Sequence, residues 1–284
     1  MRLLGLSPVA ALAATLLLGS ASAGGAQDLR TVEFSRQLRD TLPLQVRVGY
    51  AAGKLALRSA EQALLYDVEL TYDPRRTAPT YTWDAEPRVL RLGVRKESNS
   101  GGEDRKFGDL RLQLARGVPA DLQLELGAAH ADLDFSGLHV SRLRLAAGAS
   151  DATLHWDVPN AVPMTQLDLD AGAAQITASG LANARAPSMR VQVGVGSVEL
   201  DFGGEWTNDV ELDLQLTLGR VLVRVPRDVG VRMAVDRYLA SMDRSGLVKR
   251  GDAYYSTNWD TAAHKLDIRG RTAFGRFELE RGEP

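Results

Sequence analysis

Three stretches near the middle of the chain repeat one pattern: LRLAAGASDATLH at residues 143–155, LDLDAGAAQITAS at residues 167–179 and VQVGVGSVELDF at residues 191–202. In each stretch apolar and polar residues alternate, a glycine interrupts the alternation, and a second alternating segment follows. Alternation with a period of two is typical of a β-strand that has one buried face. The central part of the chain is therefore predicted to consist of strand–glycine–strand units.

The same unit recurs on both sides of these stretches. One glycine of each unit can be aligned at separations of 21, 24, 24 and 23 residues, namely Gly127, Gly148, Gly172, Gly196 and Gly219. The repeated glycine is expected where the chain turns sharply, because a turn there needs a positive φ or a missing Cβ. We therefore expect Gly148, Gly172 and Gly196 to occupy equivalent turns.

A repeat of this length predicts an all-β protein, a single-stranded β-solenoid of stacked coils of about 20–25 residues each. One coil cannot bury its inward side chains, so the copies must stack to make a core. A β-sandwich or an up-and-down barrel is the alternative, because both also contain evenly spaced strands. Open sheet edges invite aggregation, so we expect terminal caps. The divergent first and last units, residues 46–57 and 266–279, are the candidates for these caps.

The first 23 residues have the composition of a secretory signal peptide. Arg2 precedes an apolar stretch from Leu3 to Leu18, and Ala21-Ser22-Ala23 fits the small-x-small pattern that signal peptidase recognises. We predict cleavage before Gly24 and an extracytoplasmic location, in the periplasm, at the cell surface or secreted. An uncleaved membrane anchor is the alternative, although a spanning helix needs about 20 apolar residues.

The remainder of the chain divides into a short segment and a long domain. Residues 24–42 are predicted to form an N-terminal linker or a short helix, in which Val32, Leu38 and Leu42 are loosely spaced. Residues 43–284 are predicted to form the β-solenoid domain.

Charge and cysteine content exclude several function classes. Without residues 1–23 the chain has 33 basic and 36 acidic side chains, a formal net charge of −3. This balance provides no basic footprint for nucleic acid and no reason to expect strong attraction to anionic lipid. Cysteine is absent, so disulfides, zinc–thiolate sites and thiol chemistry are excluded.

The run from Leu122 to Val231 resembles the toastrack domain, the adhesin-like β-solenoid of LiaF-type cell-envelope stress-response proteins and related bacterial surface proteins. Residues 223–231, VRVPRDVGV, resemble that family's strand, proline and following Val-Gly-Val strand. Residues 265–268 and 274–279 resemble its closing unit, and residues 48–70 its opening strands. The resemblance spans residues 43–281. It implies a β-solenoid, a link to envelope stress response and no catalytic residues.

Few residues of the chain suggest metal binding or catalysis. His130, Asp132 and Asp134 would share one face of a strand and could hold a metal ion, or they could simply form its solvent face. No serine-hydrolase elbow is present, and Gly194-Val195-Gly196 lacks the helix that a dinucleotide site needs. We therefore predict no catalytic, metal-binding or cofactor-binding residues and no cofactor.

Rows of outward acidic residues leave one enzymatic alternative open. Paired carboxylates could cleave or eliminate across a glycosidic bond, which would make the protein a polysaccharide lyase or hydrolase on a β-helix scaffold. The acids in question are Asp132, Asp134, Asp168, Asp170, Glu199, Asp201, Glu211 and Asp213. We instead predict a non-enzymatic envelope protein that serves in binding, adhesion or scaffolding. A purely structural element without a specific ligand is a third possibility.

Aromatic residues are few but concentrated in two groups. The first contains Tyr72, Tyr81 and Trp83, and the second contains Tyr254, Tyr255 and Trp259. The second group lies beside a polar segment near the end of the solenoid, where stacking is interrupted. Aromatic side chains are enriched at interfaces. We therefore predict that Tyr254, Tyr255 and Trp259 contact an envelope protein or a cell-wall component, the alternative being that all three rings fill a cap.

Overall fold

The computed structural model describes residues 29–61, 63–96, 108–243 and 246–282. Every regular secondary-structure element in these segments is a β-strand. The predicted signal segment, residues 1–23, lies outside the described residues. No helix able to cross a bilayer occurs in the part of the chain that is described. The strands are β1 Arg30–Gln37, β2 Leu44–Ser59, β3 Leu64–Tyr72, β4 Thr77–Asp84, β5 Val89–Lys96, β6 Gly108–Leu114, β7 Pro119–Asp134, β8 His139–His155, β9 Gln166–Ser179, β10 Ser188–Asp201, β11 Val210–Pro226, β12 Gly230–Met242, β13 Leu247–Arg250, β14 Ala253–Ser256 and β15 Lys265–Gly282.

The long strands change the face that they bury near their middle, so that one strand covers two sides of the core. In β7 the buried positions include Leu124 before the middle and Leu133 after it, an even and an odd position. The buried side chains change from even-numbered to odd-numbered positions because two consecutive residues, Gly127 and Ala128, are both exposed. Without this switch the second half of the strand would turn its apolar side chains to solvent. We call this mid-strand position the corner.

Eight strands stack in parallel, in the order β2, β7, β8, β9, β10, β11, β15 and β12. Leu145, Leu169 and Val191 lie side by side on three successive strands, and all three are buried. The sheet does not close on itself, because its strand order has two ends, β1 and β13. Its buried apolar side chains form one large cluster. The predicted all-β solenoid is therefore confirmed in place of a closed barrel.

Buried asparagines join the loops of successive coils. The Asn160 side chain donates from Nδ2 to the carbonyl oxygen of Val140 (2.7 Å) and accepts at Oδ1 from the Val140 amide (2.9 Å). Asn183 donates to the carbonyl oxygen of Trp156 (3.0 Å) and accepts from the Glu205 amide (2.8 Å). Each side chain thereby satisfies backbone groups that would be costly to bury unpaired.

The corner glycines form two rows, and the assignment of Gly196 from the sequence is wrong. Gly148, Gly172 and Gly194 stack in the first row: a Cβ on Gly172 would lie 3.1 Å from the Gly148 carbonyl oxygen, and one on Gly194 would lie 2.6 Å from that of Gly172. Gly196 instead pairs with Ala174. The residues of the first row are small because successive backbones approach closely there.

The second row needs glycine for a stronger reason. Gly196, Gly219 and Gly275 have φ values of 148°, 143° and 131°, which L side chains rarely adopt. A Cβ on any of the three would lie 1.8 Å from a carbonyl oxygen of the neighbouring strand. Both the backbone conformation and the stacking therefore exclude a side chain.

The ends of the solenoid differ from the predicted caps. The first repeat, residues 46–57, lies in β2, which an outer coil made of β5 and β6 covers. The last repeat, residues 266–279, lies in β15, which is inserted between β11 and β12 and so has hydrogen-bonding partners on both sides. Antiparallel strands occupy the ends instead: β1, β3 and β4 at one end, and β13 and β14 at the other.

Residues 30–37 form strand β1, so the linker or short helix predicted for residues 24–42 is wrong over that segment. β1 pairs antiparallel with β3, which places Val32 opposite Leu70 and Phe34 opposite Val68. Val32 and Phe34 pack against the core, which stabilises the strand. Leu42, the last residue of the spacing that suggested a helix, is 59% exposed.

Gly219→Ala is expected to destabilise the protein by about 2–3 kcal/mol, because the new Cβ adds backbone strain and a clash with the stacked coil. Urea denaturation at equilibrium measures this change. Gly49→Ala is the matched control, since a Cβ at Gly49 would meet no atom within 4 Å. Equal effects of the two substitutions would contradict the assigned corner geometry.

Candidate functional site

Outward charges on the first halves of the long strands pair with charges on the neighbouring coil. Arg142 lies 3.0 Å from Asp121, and Arg144 lies 3.7 Å from Asp168. These pairs are partly exposed, and such pairs stabilise little individually. They nevertheless link outward charges of this face across neighbouring coils.

The second halves of the strands follow the same rule. Arg224 contacts Glu199 on one neighbouring strand and Glu280 on the other, the latter at 2.9 Å. The hydrogen bond to Glu199 is the main cause that raises the pKa of Arg224, so this guanidinium stays charged. Both carboxylates are held by a cation and do not face each other across a groove.

Two carboxylates on the face of β7 that also carries His130 make contacts of their own. Asp132 pairs with Arg58 of β2, and Asp134 accepts a hydrogen bond from the Ser136 amide (2.8 Å) in the following turn. Across the described segments, no three His, Cys, Asp or Glu side chains are grouped so that they could hold one metal ion. The three residues that share this face therefore do not form a donor set.

The second aromatic group lies at the C-terminal end of the solenoid. Tyr254 and Tyr255 belong to β14, which pairs with β12 and β13, and Trp259 follows in the next turn. The rings of Tyr255 and Trp259 meet edge to face, with centroids 5.5 Å apart and planes at 70°. Tyr254 packs against the core. The structure therefore brings two of the three predicted residues together and places the third beneath them.

Three cations surround the Tyr255–Trp259 pair. The guanidinium of Arg250 lies 5.5 Å from the Tyr255 ring centre, and the ammonium of Lys265 lies 5.6 Å from that of Trp259. Arg232 donates from Nε to the Tyr255 hydroxyl (3.1 Å). We call these five residues the cap cluster.

Acidic residues fix two of these cations. Arg232 forms a 2.6 Å ion pair with Asp267, and Arg250 forms one of 2.8 Å with Asp260. The hydrogen bond to Asp267, followed by that to Tyr255, raises the pKa of Arg232, so its positive charge persists. The aromatic side chains were found from the sequence, whereas Arg232 and Lys265 were missed because they come from distant strands.

The first aromatic group belongs to the other end of the solenoid. Tyr81 stacks on Phe34 with ring centres 4.0 Å apart, and its hydroxyl is 2.7 Å from that of Tyr66. Arg36 lies over the Trp83 ring at 4.7 Å. Burial, and then the Tyr81 hydrogen bond, raises the pKa of Tyr66, which keeps its hydroxyl neutral. This group packs β1 and β4 onto the N-terminal cap.

The chain is similar both in fold and in sequence to a known class of protein. The protein is a parallel β-solenoid, and residues 25–157 match the N-terminal domain of toast_rack, DUF2154. This match confirms, over residues 25–157, the family resemblance noted in the sequence.

Solved structures of candidate adhesion proteins share 9–13% identity with the chain. One from Clostridium sporogenes has 13% identity, covers 90% of this chain and 100% of its own, and superposes with a TM-score of 0.47. A candidate adhesin from Bacteroides fragilis has 9% identity, coverages of 88% and 98%, and a TM-score of 0.36. Another from Parabacteroides merdae has 9% identity, coverages of 88% and 95%, and a TM-score of 0.33. No curated protein matches the chain.

Tyr255→Ala is expected to lower the free energy of unfolding by about 1–2 kcal/mol, because it removes the ring contact with Trp259 and the hydrogen bond from Arg232. Tyr255→Phe keeps the ring and loses only the hydroxyl, so its effect is expected to be less than half as large. Urea denaturation of both variants checks this order. A larger loss in the Phe variant would show that the ring contact contributes little.

Proposed function

We propose that the protein is a non-catalytic module of the cell envelope that binds or scaffolds another envelope component through the cap cluster. The observation that carries this proposal is the contrast between the strand faces and the C-terminal cap. Outward charges on the strand faces pair with charges on the neighbouring coils at Arg142, Arg144 and Arg224. The cap combines half-buried aromatic rings with three cations at one end of a rigid stack.

The chemistry of the cap cluster suits a macromolecular partner. Large rings that are already held by neighbours supply contact area with little loss of conformational entropy on binding. Lys265 adds a positive charge that favours acidic groups, whereas Arg232 and Arg250 are paired with Asp267 and Asp260 within the protein. An envelope protein or a cell-wall component with exposed acidic groups is the partner we propose.

Export rests on the N-terminal segment of the sequence. Arg2, the apolar stretch Leu3–Leu18 and the small residues up to Ala23 support signal-peptide cleavage before Gly24. The toast_rack match is consistent with an extracytoplasmic site of action, and the LiaF-type resemblance suggests a role in envelope stress response.

The glycan-cleaving alternative is less well supported. It needs two carboxylates that face a common substrate groove with room for a nucleophile or base. Of the eight outward acids considered, Asp132, Asp168, Glu199 and Asp213 each lie beside an arginine. Those contacts favour a structural role for these carboxylates.

Crosslinking in intact cells followed by recovery of the tagged protein tests the proposal. Tyr255→Ala combined with Trp259→Ala is expected to reduce recovered partner at least tenfold, since both rings of the cluster are lost. Sequencing of the recovered protein is expected to give Gly24 as its first residue.

The matched control is Tyr81→Ala combined with Trp83→Ala, which removes two rings from the opposite end. It is expected to lower stability without loss of partner. Arg250→Gln keeps both rings and is expected to weaken recovery, which guards against misfolding of the double variant. Full recovery of partner by a folded Tyr255→Ala, Trp259→Ala protein would overturn the assignment.

A further inference from the structure

The outermost positions of the corner form a row that crosses the solenoid. Ala149, Ala173, Val195, Leu218 and Phe274 are successive neighbours in the sheet, one from each of β8, β9, β10, β11 and β15. Adjacent strands are about 4.8 Å apart, so the last three side chains make a line roughly 10 Å long. Side-chain size increases along this row from β8 to β15. We call Val195, Leu218 and Phe274 the apolar ridge.

The ridge is exposed to solvent. Val195 is 49% accessible, Leu218 is 48% and Phe274 is 43%. Leu29, at 40%, lines the same shallow groove as Val195, beside the corner. Four of the seven large apolar side chains that are exposed in the described residues therefore lie at this one corner. Such clustering marks an interaction surface, whereas single exposed apolar residues are ordinary.

Arginines flank the ridge on both sides. Arg269 and Arg271 precede Phe274 on β15, while Arg220 and Arg276 follow the corner on β11 and β15. The side chains of Arg220, Arg269 and Arg276 are each more than half exposed.

Carboxylates balance only part of this charge. Glu278 alone serves both Arg220 (2.5 Å) and Arg276 (3.1 Å). Asp267 serves Arg269 (3.4 Å) and also Arg232. Asp236 is the register partner of Arg271 on β12. Asp213 of β11 is the register partner of Arg269 and also pairs with Arg190. The four flanking arginines thus have four carboxylates beside them, but two of these carboxylates also pair with Arg232 and Arg190, which leaves a small excess of positive charge here.

We propose that the apolar ridge docks on an anionic phospholipid surface, with its three side chains among the acyl chains and the flanking arginines on the lipid phosphates. The groove beside the ridge is shallow and open, so it does not enclose a defined side chain of a partner. A second copy of the chain is less suitable, because two such corners would bring arginines together. This surface is distinct from the cap cluster. The proposal rests on the proposed envelope location only because that location would bring the protein close to a membrane.

Binding at a membrane surface requires both the apolar ridge and the flanking arginines. Buried apolar area supplies most of the free energy, and each basic residue near an anionic surface adds about 1 kcal/mol. The formal net charge of the whole chain is negative, but screening restricts electrostatic attraction to about 8–10 Å at physiological ionic strength. The local charge at the corner therefore decides whether a bilayer attracts this surface.

Sedimentation of the purified protein with vesicles tests the proposal. The protein is expected to pellet with vesicles of phosphatidylglycerol and phosphatidylcholine and to remain in solution with phosphatidylcholine alone. Leu218→Ser combined with Phe274→Ser is expected to lower the partition coefficient at least tenfold. Arg271→Gln is expected to lower it about threefold and to weaken its dependence on salt. Because the vesicles contain neither protein nor glycan, the result is independent of the cap cluster.

Val158→Ser is the matched control, since Val158 is 47% exposed in the loop between β8 and β9 and lies away from the corner. It is expected to leave vesicle binding unchanged. Three results would overturn the proposal: no pelleting with anionic vesicles, equal pelleting with neutral vesicles, or an equal loss in the Val158 variant. Concentration-dependent self-association that the double serine variant abolishes would assign the ridge to a second copy of the chain instead.

Discussion

Close contact between backbones of successive coils at the corner is the constraint on which the rest of the structure depends. The carbonyl oxygen of one corner residue lies where a Cβ of the next strand would be, at Gly194 and Gly219 for example. Glycine at these two positions allows the close stacking, and the stacking keeps the coils in register. Once the register is set, the apolar side chains on both halves of each strand meet in one core.

The same register determines the surface. In-register stacking places residues at the same position of each coil in straight rows, so that one exposed position becomes a line across the molecule. Where the charge alternates along a row, as with Arg144 and Asp168, side chains of neighbouring coils form ion pairs. Where the row is apolar, as at Leu218 and Phe274, a ridge results. The surface features thus follow from the repeat together with the few positions that depart from it.

The alternation and the repeat were sufficient to predict the fold class, because burial with a period of two is a local property. Long-range pairing was not predictable in the same way. Gly172 and Gly196 are 24 residues apart, as are Gly148 and Gly172, which suggested equivalence. The chain instead aligns Gly172 with Gly194, since the flanking residues Ala171 and Val193 both point into the core. The insertion of β15 between β11 and β12 likewise left no local signal.

The candidate site was predictable only in part. Tyr255 and Trp259 were found because aromatic residues are scarce in this chain, whereas Arg232 and Lys265 reach them through pairing of distant strands. The apolar ridge was not predictable from the sequence because Val195, Leu218 and Phe274 are far apart along the chain. Each of them alone resembles an ordinary strand residue, and their common exposure appears only after the coils are stacked.

The absence of cysteine allows a direct test of the coil register. Thr153 and Thr177 are register partners on β8 and β9, and Glu199 is the partner of Thr177 on β10. Neighbouring strands bring paired Cα atoms within the roughly 4.4–6.8 Å that a disulfide spans, whereas strands two apart are separated by about 9.6 Å. Mild oxidation of Thr153→Cys, Thr177→Cys is expected to give an intramolecular disulfide, and oxidation of Thr153→Cys, Glu199→Cys is not. Efficient crosslinking of the second pair without the first would contradict the stacked solenoid.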